Sequence, residues 1–347
     1  MSERLYLYED EDLYALPTPD ALGVLSSTRA VVEQGEYVWI NMERVNDLGE
    51  QWAQGTPAHI NDGQADQPLW DDRYHFHNGT ERTVNWLLVL DALNFCFWAA
   101  KDQPRWSIDY KGETLNGYWA EAAALTRAVA EGLPLWDAEY LSTISAETVA
   151  HIFQGTQVIP LLQQRVENAR EVGRVLLEKY DGQFARAIEQ ADGSAVRLVQ
   201  QLVTHFPSFR DIAAFHGHEI RFFKRAQICA ADIASAFHGQ AWGAFTDLDQ
   251  LTIYADYKLP QVLRHYNVLE YQSALAARVN AEIELAAGSA EEIGIRACTI
   301  WACELLRRAL LQRGRSVTNV AIDQRLWSLG QNITGMRPYH RTRTIYY

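Results

Sequence analysis

Cysteine is scarce in this chain, with four among 347 residues, at positions 96, 229, 298 and 303. They form no C-x-x-C pair, and Cys298 and Cys303 fall on different faces of a helix. This excludes a secreted disulfide scaffold and offers no zinc or iron–sulfur ligand set. Cations are also in deficit. Lys and Arg total 31 against 44 Asp and Glu, a formal net charge of -13, with a pI of about 5.2. That balance argues against a broad, nonspecific grip on DNA or RNA. A small nucleotide stays open, because one phosphate needs only a local cluster of cations. Long apolar runs are missing too. Trp86 to Leu90 and Leu93 to Ala100 are broken by Asp91 and Asn94, well short of the roughly 20 residues of a membrane span. The opening MSERLYLYEDEDLYALPTPD has no basic region followed by an apolar core, so no leader is expected and the expected location is the cytoplasm. There is no strand followed by GxGxxG, no Walker loop, no HExxH and no GxSxG. The nicotinamide, phosphotransfer and serine-hydrolase readings therefore lack their signatures.

Aromatic residues are plentiful: 11 Trp, 16 Tyr and 12 Phe. They build an aromatic-rich core or wall a pocket for a planar ligand. Val38 to Ile40 reads as a short strand or buried turn, and HINDGQADQPLWDDRYHFHNGTE as mostly loop. RTVNWLLVLDALNFCFWAA, apolar on most faces, predicts a buried helix from near Thr83. Trp106, Ile108 and Tyr110, with the turn at Lys111-Gly112, predict a β-hairpin. Beyond Tyr118 the pattern is helical: Tyr118 to Glu131, then a helix opened by Pro160 and running to about Tyr180. The buried stripe of the latter is Leu162, Val166, Ala169, Val172 and Leu176. Further helices are expected over His218 to Ala236, Leu248 to Ala255, Gln261 to Tyr266, Tyr271 to Leu285 and Ala290 to Gln312. The expectation is one compact, mainly α unit with a small β element. Residues 1–120 form an amino-terminal region with the buried helix and the hairpin, and 121–347 form the helical remainder.

The chemistry candidates cluster. Arg225 and Asp232, seven apart, share one stripe of a helix with Lys224 on the flank. They form either an internal salt bridge or the lining of a polar pocket. Asp247 and Gln250 fit a capping box for the short helix LDQLTIYA. That helix breaks at Asp256-Tyr257-Lys258, and Pro260 opens the next one. Two short helices joined by a tight hairpin would expose N–H groups beside Asp256 and Lys258, where a sugar or phosphate could sit and where Asp256 would be kept ionised. Asp256 capping the second helix is the alternative. Asn94 stands inside DALNFCFW, beside Phe95, Phe97 and Trp98, and either bonds a base edge or ties a loop. Asp109 points into the same space or sits on the hairpin surface. The tail HRTRTIYY, with Arg337 just before it, carries His340, Arg341 and Arg343, and these cations meet a phosphate or remain in solvent while Ile345, Tyr346 and Tyr347 dock. The paired histidines, His75 with His77 and His216 with His218, lack acidic partners, so no metal is expected.

Eight segments carry a resemblance. They are ALNFCFW at 92–98, WSIDYKG and GYW at 106–119, REVGRVLLEKYDGQF at 170–184, FPSFRD at 206–211, FFKRAQICAAD at 222–232, LTIYADYKLPQVL at 251–263, EIGIRACTIWACELL at 292–306 and PYHRTRTIYY at 338–347. In this order they resemble the queuosine salvage protein family, the queuosine 5′-phosphate N-glycosylase/hydrolases. The resemblance implies an architecture similar to the helix-hairpin-helix DNA glycosylases, with an added region that fits the pocket to a small nucleotide. It implies release of queuine from queuosine 5′-monophosphate, in service of tRNA modification, without metal or organic cofactor. A monomer with no stable nucleic-acid complex and no membrane is expected. Within that frame Asp256 is expected to act on the ribose and Asp232 to orient substrate. Asn94, Phe95, Phe97 and Trp98 are expected at the base, with Asp109 as a further candidate. Lys224, Lys258 and Arg341 are expected at the phosphate, with Tyr257 beside them. A non-catalytic helix-hairpin-helix protein that binds nucleic acid or nucleotide is the alternative.

Overall fold

The computed structural model describes residues 12–55 and 70–347. The opening acidic stretch through residue 11 and residues 59–69 of the expected polar loop lie outside the described residues. The chain is mainly α-helical with short strand pairs. No helix among the described residues is long and apolar enough to cross a membrane.

Helices α1 (Val24–Gln34) and α2 (Met42–Gln54) flank strand β1 (Val38–Ile40). Helix α3 (Glu81–Leu93) starts at the Thr80 cap, whose hydroxyl accepts the Arg82 N–H, and is buried from Thr83 to Leu93. The expected hairpin forms as β2 (Ser107–Tyr110) and β3 (Glu113–Asn116), with Ile108 opposite Leu115. Next come α4 (Gly117–Ala130), α5 (Ala138–Ser142), α6 (Ala146–Ile152) and α7 (Leu162–Tyr180). Val166, Ala169, Val172 and Leu176 are buried on α7, whereas Leu162 is only half-buried at its start. Gly182 separates α7 from α8 (Phe184–Ala191), and Gly193 separates α8 from α9 (Ala195–His205). Helix α3 packs against α7, α8 and, further along the chain, α10 (Lys224–Ala236). Helix α13 (Ala290–Gln312) matches the expected range and packs against α1 and α2. Strand β1 pairs antiparallel with a strand over Leu269–Tyr271, bringing the early and late parts of the chain together.

Several expectations are corrected. The helix expected over His218 to Ala236 begins only at Lys224. Its first residues form β5 (His218–Arg221), paired with β4 (Ile212–Phe215) across a turn in which His216 and Gly217 have φ of 48° and 82°. The helix expected over Leu248 to Ala255 is a single 3-10 turn, Leu248–Gln250, followed by extended chain. Its amides are taken by side chains from other elements. Thr252 N–H donates to Gln227 at 2.8 Å and Tyr254 N–H to Asp323 at 2.7 Å. Asp247 does not cap its own turn. Its carboxylate accepts the Ala195 N–H at 2.6 Å and the Ser194 hydroxyl, and so caps α9. The two short helices expected around Asp256 are thus an extended arm and one helix, α11 (Lys258–His265), with Pro260 in its first turn. Tyr271 to Leu285 resolves into β6 (Leu269–Tyr271) and α12 (Ser273–Asn280), and a further helix, α14 (Asn319–Asn332), follows α13.

Candidate functional site

The cleft is built where the carboxyl end of α3, the start of α10, the 251–257 arm and α14 meet. Two buried arginines fix the loop after α3. Arg225 donates to the carbonyls of Asp91, Ala92 and Ser208. Arg165 donates to those of Leu93, Phe95, Cys96 and Pro160. Guanidinium groups thus satisfy the carbonyls left free where the helix stops. The Arg225–Asp232 bridge considered from spacing does not form, since Arg225 is engaged by backbone.

Asn94, Phe97, Lys224, Asp232, Asp256, Tyr257 and Lys258 all line this cleft. The other candidates do not. Phe95 is fully buried beneath the guanidiniums of Arg165 and Arg225, at 4.3 and 5.2 Å. The chain turns at Cys96, φ 47°, and Trp98 packs under Arg343 and Arg341 at 4.7 and 5.8 Å. Asp109 is on the exposed face of the hairpin and accepts the Thr114 hydroxyl at 2.7 Å. Arg341 pairs with Glu282 at 2.9 Å and Arg343 with Glu284 at 3.0 Å, while His340 and Tyr347 are buried. The tail is docked, and these two arginines are engaged by acids.

Asp256 sits at the mouth of α11. Its Oδ1 accepts the N–H groups of Lys258 and Leu259 at 2.7 and 2.9 Å. Burial nevertheless raises its pKa, outweighing the Lys224 ammonium and the two amides, so the expected lowering is reversed. Asp232 is pushed up to about 7 by burial, against the pull of Lys224 and the Tyr118 hydroxyl. Behind it, fully buried Asp91 is raised well above the usual carboxylate range by burial and by the Asp232 charge. Asp323 of α14 is raised likewise. Lys224 is lowered by burial, with Asp256 the chief opposing charge, and its Nζ lies 3.5 Å from the Asn94 carbonyl.

The sequence reading missed several lining residues. Tyr118, Trp119 and Trp327 form one aromatic group, with centroids 5.5 to 6.2 Å apart. Tyr339 is a further one, packed against the expected Tyr257 at 4.8 Å. Arg105 and Lys258 both approach the Tyr339 ring, at 5.8 and 5.5 Å. Asp323 carried a usable signal, an acid between the buried Ile322 and Leu326 of an amphipathic segment. Arg105 carried none, because an exposed Arg before a hairpin is unremarkable. The assembly combines aromatic faces for a planar ring, buried carboxyls poised to hold or release protons, one buried ammonium, and cations beside an aromatic ring. That set suits cleavage of a bond in a small, flat, anionic molecule.

The family profile described as "Queuosine salvage protein" matches residues 74–347. A protein of Sphaerobacter thermophilus named queuosine 5′-phosphate N-glycosylase/hydrolase is 48% identical, over 94% of this chain and 98% of its own length. Proteins of the same name are 38% identical in Bos taurus, over 77% and 82% of the two chains, and 31% identical in Schizosaccharomyces pombe, over 89% and 91%.

Proposed function

The chain belongs to the queuosine salvage protein family, and from that premise we propose that its cleft hydrolyses the N-glycosidic bond of queuosine 5′-monophosphate. The products are queuine and ribose 5-phosphate. One juxtaposition carries this reading onto the residues: Asp256, held by two helix amides, faces Lys224 in an aromatic-lined cleft.

The bond from the ribose to the base nitrogen breaks with its electron pair going to the base, and positive charge develops on the sugar. Asp256 stabilises that charge and takes a proton from the attacking water, whose oxygen bonds the anomeric carbon. The base nitrogen gains a proton, so one water is consumed in all. A base needs a pKa near the working pH, and burial has moved Asp256 in that direction. Lys224 keeps the carboxylate available by its charge. Asp232 orients the substrate. Phe97 and the Tyr118, Trp119 and Trp327 group stack on the base, with Asn94 at its edge. Arg105 and Lys258, with Tyr257 beside them, anchor the phosphate. Lys224 serves the ribose rather than the phosphate, and Arg341, tied to Glu282, is replaced in that role by Arg105.

The family's likeness to helix-hairpin-helix DNA glycosylases is proposed for the helical array around α10 and α11, not for paired short helices at 248–265. The protein acts as a monomer on the free mononucleotide, in the cytoplasm. Its four unpaired, buried thiols suit a reducing compartment. The test is incubation of pure, folded protein with queuosine 5′-monophosphate and chromatography of the released base. Queuine and ribose 5-phosphate in equal amounts are expected. No queuine above the blank overturns the reading.

A further inference from the structure

Lys224 and Asp256 stand on separate elements. Lys224 is the first residue of α10, and Asp256 ends the extended arm before α11. Neither element fixes the distance between them. A buried ion pair connects the two segments. Arg296 of α13 donates from Nη1 to Asp211 Oδ1 at 3.0 Å and from Nη2 to Asp211 Oδ2. Its Nε donates to the carbonyl of Ala255, the residue before Asp256, at 3.0 Å.

Asp211 reaches the other segment. Its Oδ2 accepts the Lys224 N–H at 3.3 Å, and its carbonyl accepts the N–H groups of Phe222 and Phe223 at 3.0 and 3.2 Å. Phe223 is left-handed there, φ 51°, so the turn that starts α10 is held by Asp211 and not by an ordinary cap. The guanidinium is sandwiched between the rings of Phe222 and Tyr347, at 3.8 and 4.5 Å, and Glu292 lies 3.6 Å from Nη1.

Both partners are nearly inaccessible, at 3% and 2% of side-chain surface. A buried ion pair is weak evidence for stability, since apolar replacements of similar volume often do as well. This pair does something an apolar pair could not. Each partner uses its remaining hydrogen-bonding capacity on the backbone of a different segment of the cleft.

We propose that the Asp211–Arg296 pair is a positioning device that sets the distance between the Lys224 ammonium and the Asp256 carboxylate, and through it the rate of glycosidic cleavage. The inference rests on the roles given above to Lys224 and Asp256. The groups around Asp256 are Lys224, Lys258, Tyr257 and Asp323. Those around the pair are Glu292, Tyr346, Tyr347, Arg225 and His340. A looser pair separates Lys224 from Asp256.

The experiment compares wild type, Arg296→Lys, Asp211→Asn and Asp256→Asn. Arg296→Lys keeps the charge, but a compact ammonium lacks the planar fork that spans both carboxylate oxygens and the Ala255 carbonyl. Asp211→Asn keeps the volume and an acceptor for the Lys224 N–H. Folding is followed by thermal melting, product affinity by queuine titration, and turnover of the nucleotide across pH. Displacing a reacting group by about 1 Å can cost roughly 100-fold in rate. The folded Arg296→Lys variant should therefore lose at least about tenfold in kcat, with KM and queuine affinity within about threefold. The acidic limb of its kcat profile should move to higher pH, because Asp256 loses part of the lowering effect of Lys224. Should Arg296→Lys not fold, Asp211→Asn carries the same comparison. Folded variants with wild-type kcat and an unmoved limb overturn the proposal. So does unfolding of both variants, since the pair would then hold the fold and not the spacing. Activity retained by Asp256→Asn overturns the site assignment itself, which is a distinct failure.

Discussion

Asp256 and Asp232 differ in what surrounds each. Asp256 is held by two N–H groups and faces Lys224, whereas Asp232 lies among fully buried acids and has Tyr118 and Lys224 for relief. An Asp256→Asn variant should lose kcat by roughly 1,000-fold or more while still binding queuine, as expected of a group acting in the transition state. Asp232→Asn should keep measurable turnover with weaker use of the nucleotide. The reverse pattern, measured by single-turnover kinetics on folded variants, exchanges their roles. The phosphate end gives a second prediction. Arg105→Ala and Lys258→Ala should each lower kcat/KM for the nucleotide by roughly 10- to 100-fold, the scale of a lost charge-assisted hydrogen bond. The effect on the nucleoside should be small, and Arg341→Ala should leave the nucleotide-to-nucleoside ratio unchanged. Equal losses on both substrates would remove Arg105 and Lys258 from the phosphate.

Helix α9 illustrates what a sequence can conceal. Its cap is shared between its own Ser194 and the distant Asp247, a contact across 52 residues to Ala195. Asp247→Ala should destabilise the protein by about 1 kcal/mol, the usual cost of a lost cap, with kcat unchanged. A shift in the denaturation midpoint with intact turnover supports this, and no shift refutes it. The same long-range logic explains which elements were legible. Helices α7 and α13 and the β2–β3 hairpin follow from local periodicity and turn residues, and they stand where the pattern put them. Helix α3 starts as expected but stops at Leu93, short of the Ala100 to which its apolar pattern ran, where Arg165 and Arg225 take the carbonyls of Asp91, Leu93 and Phe95. The arm at 251–257 fails by that method because Gln227 and Asp323, far along the chain, take its amides. Helix α14 was overlooked because its buried stripe includes polar Asn319, Asp323 and Ser328 among Ile322 and Leu326. Within the cleft, Phe97 and Phe95 are indistinguishable by sequence, yet the turn at Cys96 gives them opposite surroundings.

Across the whole molecule, burial of acids around one cleft gives folding an unusual dependence on pH. Asp232 is pushed up to about 7 and Glu121 to about 8, and Asp91, Asp256 and Asp323 are also raised, in each case chiefly by burial. In the unfolded chain these groups release their protons near the ordinary carboxylate value of about 4. Above that pH the folded state binds more protons than the unfolded one, so stability falls as pH rises toward the folded values. The buried histidines have the opposite sign. His75 is lowered to about 4 and His340 to about 3 by burial, so their contribution is lost as pH falls below the unfolded value of about 6.5. Between about 4 and 6.5 the two sets oppose each other, and above that range the histidines are neutral in both states. Lys224 and Lys258, lowered by the same burial, work against the acids but are two groups against five. Stability should therefore decline from pH 6.5 to 8.5, by roughly 2 kcal/mol or more, as read from urea midpoints at the two values. Glu121→Gln, which keeps the volume and removes the titration, should flatten part of that slope. A midpoint that is constant or rises over this range would mean that the acids beneath the cleft are ionised in the folded protein, with water or cations reaching them from the substrate side.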